Sequence, residues 1–238
     1  MSGPGDTSSV NPPARARTPS HARGAALIAL AFAALLGIFA WRSSQPMSWE
    51  RPAIDAFQHH AVPLQRFWID VFEPVPFALI VAGLFALAYT RGRHRLAWTG
   101  AAGCFVAVLA TELVFKPLVD RVQIHDGSRF GLHLVRFAGP MFPSAHTTAA
   151  AACAMFAFLI LDRRRWLAPL LAVVPLAVAG SVIAARMHYP ADAIAGMLVG
   201  FALVYLTVDV ARPRVRVAPP AAAPTRYRAT REPESAPA

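Results

Sequence analysis

The sequence predicts an all-α polytopic membrane protein with six transmembrane helices, and three observations carry that expectation. Of 238 residues, 56% are hydrophobic and only 15% charged, with a mean hydropathy of +0.44. A soluble domain of this length needs more polar surface to cover its core. Apolar runs approaching ~20 residues recur along the chain, enough for a helix to cross ~30 Å of hydrocarbon. Arginines gather in short clusters between those runs and in both tails, and six crossings bring every cluster to one side. The alternative is a soluble helical bundle, and runs this unbroken would leave it no polar face for water.

Residues 1–23, rich in Pro, Ser, Ala and Arg, read as a disordered N-terminal tail with little to bury. The membrane domain is expected over 24–211. Its first run, Ala25 to Trp41, follows Arg23 as a secretory leader would. It lacks a small-x-small cleavage site and ends directly on Trp41-Arg42, so a retained helix is expected. The further runs are Pro74–Thr90, Leu96–Leu118, Ala145–Leu161, Trp166–Ala185 and Ala191–Val210. Residues 212–238, rich in Pro, Ala and Arg, read as a second disordered tail.

The basic clusters are Arg15, Arg17 and Arg23; Arg91, Arg93 and Arg95; Arg163, Arg164 and Arg165; and Arg212, Arg214 and Arg216. The positive-inside rule makes their side cytoplasmic, with both termini there, in a cell membrane. Residues 42–73, 119–144 and 186–190 then face outward. The first of these segments carries Trp49, Phe57, Phe67, Trp68 and Phe72, suited to short helices lying in the interface. A net charge of +10 would suit nucleic acid, but its scatter between apolar runs points to membrane topology, and no nucleic-acid partner is expected. Cys104 and Cys153 lie inside apolar runs and read as small buried hydrophobes. No spacing resembles a zinc site, and neither metal nor other cofactor is expected.

Three outward-facing clusters carry the chemistry. Lys116, the only lysine among 23 Lys and Arg residues, ends the third run. A lone lysine suggests a need for a compact point charge, although an interfacial lysine snorkelling to water is the plain alternative. Glu112, one turn earlier, is placed to hold its ammonium, and a carboxylate that deep is costly unless paired. The second cluster, Pro143-Ser144-Ala145-His146, opens the fourth run, where free backbone N–H groups attract an anion. By itself it would be a helix cap. The third is Arg186-Met187-His188-Tyr189-Pro190-Ala191-Asp192. Asp192 is spaced to accept a proton from one imidazole nitrogen of His188 and leave the other as a nucleophile. Alone it would be a structural histidine in a capped loop. Together, a cation, helix N-termini, two histidines and an acidic orienter form a constellation suited to phosphoryl transfer.

These residues resemble the motifs of the type-2 phosphatidic acid phosphatase family of membrane phosphatases, over roughly residues 50–210. The family carries Lys, six residues, Arg-Pro; then Pro-Ser-Gly-His; then Ser-Arg, five residues, His, three residues, Asp. Lys116, Pro143, Ser144, His146, Ser181, His188 and Asp192 match. The first family Arg-Pro falls on Gln123-Ile124, with Arg121 the nearby substitute. Ala145 replaces the glycine, and Val182 replaces the last arginine, with Arg186 four residues on. The resemblance implies an outward-facing phosphatase site that acts without metal on a lipid phosphate or polyprenyl diphosphate. In it, His188 is the nucleophile that becomes a phosphohistidine, Asp192 orients it, and His146 is acid and then base. Lys116, Arg121, Ser144, the Ala145 N–H and Arg186 would hold the phosphate oxygens. Arg129, His133 and Arg136 would read the headgroup, or belong to a solvated loop. A lipid phosphotransferase using the same histidine, and a non-enzymatic anion-binding or transport protein, are the competing readings.

Overall fold

A computed structural model describes residues 20–41, 45–59, 64–121, 141–164 and 166–212. Its elements are helices: α1 Ser20–Ala40, α2 Glu50–His59, α3 Gln65–Asp70, α4 Pro74–Thr90, α5 His94–Val119, α6 Ala145–Ile160, α7 Leu167–Ala184 and α8 Pro190–Val210. No strand occurs among the described residues. Each apolar run of the sequence becomes one of the six long helices, with ends shifted by a few residues. The largest shift is at α1, which begins at Ser20, inside the expected tail, because His21-Ala22-Arg23 continues the helix. Residues 1–19 and 213–238 of the two expected tails lie outside the described residues.

Helices α1, α5, α7 and α8 are long and apolar enough to cross a membrane. Helices α4 and α6 are apolar but shorter, with 17 and 16 residues. At 1.5 Å per residue they are ~25 Å long, a little short of the hydrocarbon thickness. The outer faces are uniformly greasy: Leu27, Ile28, Ile38, Leu79, Leu109, Leu113, Leu170 and Leu176 are all exposed. Such a surface suits acyl chains and would aggregate in water.

Helix α8 is the centre of the bundle, packed by α1, α5 and α6. Its closest partner is α6, an alanine-rich helix whose Ala149–Ala152 are buried. Two glycines one turn apart, Gly196 and Gly200, let the two backbones touch. A Cβ on Gly196 would lie 2.3 Å from Thr147 Oγ1 and 2.5 Å from Ser144 O, and one on Gly200 would lie 2.4 Å from Thr148 O. Small residues at helix crossings serve this purpose in membranes. Gly196→Val is therefore expected to destabilise the fold by about 1–3 kcal/mol through overpacking. A lowered melting temperature in detergent would register it.

The aromatic segment between α1 and α4 folds into α2 and α3, as the sequence suggests, and both pack on α7. Trp49 and Phe67 remain exposed, in keeping with an interface. Phe72 turns inward with Ile69 and joins the main core, so it is a core residue and no interfacial anchor. Cys104 and Cys153 are free and buried.

Candidate active site

One end of the bundle collects the starts of α2, α4, α6 and α8 and the ends of α5 and α7. The starts of α6 and α8 are tied directly, since Ser144 N donates to Asp192 O at 3.0 Å. Ser144 caps α6: its Oγ accepts from Thr147 N at 3.5 Å. Its carbonyl accepts the hydroxyls of Thr147 and Thr148 at 3.0 and 2.9 Å. Ala145 N begins the helix beside it. Asp192 sits at the third position of α8, where its Oδ2 accepts from Tyr189 N at 2.9 Å. Pro190 at the first helical position needs no N–H partner.

Arg121 organises this end. Asp120, with φ +47°, stops α5 and turns the chain so that the next side chain runs back into the protein. The Arg121 guanidinium is 0% exposed. It donates to Asp192 Oδ1 at 2.6 Å and to Glu50 Oε2 at 2.8 Å, and lies 3.9 Å from the centre of the Tyr189 ring. Glu50, also fully buried, accepts from Ala191 N at 3.0 Å and from Met47 N at 2.6 Å. The sequence offers Arg121 as a phosphate ligand, and in the structure its guanidinium is engaged within the protein. Two carboxylates and an aromatic face engage its guanidinium inside the protein, and it holds the start of α8 and the Asp192 carboxylate in place.

His188 follows α7 at a tight turn in which Met187 N and His188 N both donate to Val182 O. Its Nδ1 faces Asp192 Oδ2 at 3.7 Å, close enough for an ion pair but too long for a hydrogen bond. With Nδ1 turned to the carboxylate, Nε2 is on the far side of the ring. Burial pushes the His188 pKa below its ordinary value. Asp192 opposes that shift, and the charges of Lys116 and His146 reinforce it. His188 thus shares one electrostatic environment with both of those residues.

Lys116 Nζ donates to Glu112 Oε1 at 2.6 Å, the pairing expected from their spacing, and the lysine is only 8% exposed. A π-helical turn, Thr111–Phe115, lies between α-helical stretches of α5 and includes Glu112. Such turns insert an extra residue and re-aim the side chains around them. Thr111 Oγ1 in the same turn reaches Thr148 Oγ1 of α6 at 3.2 Å. His146, in the first turn of α6, places Nε2 3.6 Å from Glu73 Oε1 at the start of α4.

The structure thus brings His188, His146, Asp192, Lys116, Ser144 and Ala145 to one end of the bundle. Arg186 is at this end too, on an exposed left-handed residue (φ +58°) that terminates α7. Val182, which stands at the family arginine position, is fully buried in the core. Gln123, Ile124, Arg129, His133 and Arg136 lie outside the described residues. Glu50 and Glu73 were not singled out from the sequence. Glu73 carried one available signal, a carboxylate directly before a helix-opening proline. Among the described residues no three His, Cys, Asp or Glu side chains cluster as metal ligands would.

Residues 111–216 match the family model of the PAP2 superfamily. That span starts at the π-helical turn and runs through all three clusters. The fold is similar to one described as the first transmembrane PAP2-type phosphatidylglycerolphosphate phosphatase from Bacillus subtilis. The two share 17% identity at a TM-score of 0.60, over 80% of this chain and 98% of that one. At this identity the likeness is one of fold. No curated protein matches the chain.

Proposed function

We propose, from the premise that the chain belongs to the PAP2 superfamily, that it is a multi-pass membrane phosphatase releasing phosphate from a lipid phosphate without metal. The observation that carries this reading is His188 facing buried Asp192 at the end of the bundle shared with Lys116 and His146. A neutral imidazole with one nitrogen held by a carboxylate is a competent nucleophile at its other nitrogen.

In this reading His188 Nε2 attacks phosphorus while the bond to the lipid oxygen breaks, giving a phosphohistidine. Asp192 stabilises the proton on Nδ1 as the ring gains positive charge. His146 protonates the departing alkoxide, and its imidazole then takes a proton from the water that attacks the phosphohistidine, so that the P–N bond breaks and His188 and inorganic phosphate are freed. Glu73 holds His146 in orientation. Lys116, Arg186, Ser144 and the Ala145 N–H neutralise the phosphate oxygens, a role preorganised charge fills well in phosphoryl transfer. Glu112 positions Lys116, and Arg121 positions Asp192. The six long helices all cross the bilayer, and the arginines at the far end put that end in the cytoplasm, with the active site on the outer face.

Substrate class is tested by a phosphate-release panel of polyprenyl diphosphate, phosphatidic acid and phosphatidylglycerol phosphate, with and without EDTA. The outward site favours the polyprenyl carrier. Release that collapses with EDTA would sink the metal-independent mechanism. Loss of substrate without inorganic phosphate would point instead to transfer onto a second lipid.

The pH profile is a further test. Burial lowers the His188 pKa, so the neutral nucleophile persists as pH falls through the ordinary histidine value near ~6.5 and is lost only below it. The acid limb of kcat/KM is expected below that value. A limb at or above it would contradict the assignment of His188.

A further inference from the structure

Far from the active site, at the arginine-bearing end of the bundle, an apolar groove of about 490 Å³ opens between α1, α6, α7 and α8. Its walls include Ala29, Met155, Leu171, Leu198 and Ala202. From Tyr205 to Leu198 it extends ~10 Å along α8, at 1.5 Å per residue. Two polar side chains close its outer end, Arg163 and Tyr205.

Neither of these is satisfied. Tyr205 is only 7% exposed, and its hydroxyl is buried with no hydrogen-bond partner among the described residues. Arg163 lies with its guanidinium carbon 5.4 Å from the Tyr205 ring centre, and its Nη2 is likewise buried without a partner. A buried hydroxyl and a buried guanidinium N–H left unpaired cost free energy that an incoming acceptor recovers. On the other side of Arg163 lies a second cavity of about 510 Å³, lined by Arg93, Arg95 and Arg212. Arg93 is engaged with Asp162 and with the carbonyls of Leu159 and Ile160, which leaves Arg163 as the cation shared by both spaces.

An apolar slot that ends on an unsatisfied cation and hydroxyl matches one kind of molecule. We propose that this groove binds an anionic phospholipid, one acyl chain between α1, α6, α7 and α8 and the phosphodiester on Arg163 and Tyr205. Charge complementarity selects the anionic headgroup, because the neighbouring cavity that Arg163 also lines carries Arg95 and Arg212 beside the Arg93–Asp162 pair, a net positive surround. Basic pockets between membrane helices bind anionic headgroups by this logic. The site is separate from the catalytic end, and none of its residues takes part in the chemistry above.

The test uses delipidated, purified full-length protein titrated with dioleoyl phosphatidylglycerol, which has no terminal phosphate to release, and dioleoyl phosphatidylcholine. Native mass spectrometry counts bound lipid, and thermal melting reports stabilisation. Phosphatidylglycerol should bind about tenfold tighter than phosphatidylcholine, whose choline cation cancels the phosphodiester charge that the arginines attract. Arg163→Ala should remove that preference, and Ala202→Phe, which fills the slot, should lower binding of both lipids. Tyr205→Phe, which keeps the ring, should weaken both lipids, since each carries the phosphodiester that the hydroxyl would meet. Equal binding of the two lipids, or an undiminished preference in Arg163→Ala, would overturn the proposal. Equal stabilisation by inorganic phosphate would overturn the acyl-chain part. If deleting residues 1–19 lowers the melting temperature and phosphatidylglycerol does not restore it, the chain's own tail fills the groove and the lipid does not.

Discussion

His188→Ala is expected to bring phosphate release from a lipid phosphate down to background, a loss of about a thousandfold or more, while the protein still inserts and melts near the wild-type temperature. On the proposed mechanism the loss is large, because no other side chain can substitute for a nucleophile that forms the covalent intermediate. Stability survives because the imidazole contributes little to folding. Its Nδ1 makes no hydrogen bond, and the turn around it is held by the backbone bonds of Met187 and His188 to Val182 O. Asp192 keeps its hydrogen bonds to Arg121 and Tyr189 N when the ring is gone, so no buried carboxylate is left unpaired. A matched prediction concerns the intermediate. Rapid acid-free quenching of wild type with a labelled substrate should trap label on the protein as a phosphoramidate, and His188→Ala should trap none. His146→Ala should retain the label for longer, because the second step lacks its base. Purified His188→Ala that releases phosphate at the wild-type rate would remove the proposed nucleophile.

The helices and the chemistry were legible in the sequence to different degrees. Hydrophobic runs are long-range signals that neighbouring residues reinforce, so Pro74–Thr90 could be read to the residue and the other runs to within a few. The pair Glu112–Lys116 was legible because helical spacing places the two on one face. Glu50 was not. It lies in an aromatic segment whose periodicity suggests only an interfacial helix, and its partners are Arg121 and the start of α8, 71 and 141 positions away. A single sequence gives no indication of such a pairing. The same blindness hid the inward partners of Arg121. Its place two residues before Gln123, where the family carries arginine, suggested a phosphate ligand, whereas the left-handed Asp120 turns it inward, a backbone conformation no side-chain pattern announces. Gly196 and Gly200 carried a readable small-residue spacing, and their meaning depended on knowing that α6 crosses there.

Arg121→Ala is expected to be the most destabilising single change at the catalytic end, lowering stability by about 3–5 kcal/mol. It leaves Glu50 and Asp192 as two buried carboxylates without their shared cation, the circumstance in which breaking a buried ion pair costs most. A hydrophobic replacement of the whole cluster would cost far less, since desolvation of three charges would disappear with it. Arg121→Met combined with Glu50→Gln should therefore recover part of the lost melting temperature, because only Asp192 then remains to be satisfied. The catalytic readout separates positioning from substrate contact. If Arg121 acts by holding Asp192 against His188, surviving folded enzyme should show a reduced kcat at nearly unchanged KM. An arginine that touched the phosphate would instead raise KM in a variant that folds normally. A stable Arg121→Ala protein with raised KM alone would return Arg121 to the phosphate and leave Asp192 to be held by Tyr189 N by itself. The buried geometry favours the first outcome, because Nη1 and Nη2 are committed to Glu50 and Asp192, and Nε, which has no partner, is enclosed with them away from solvent.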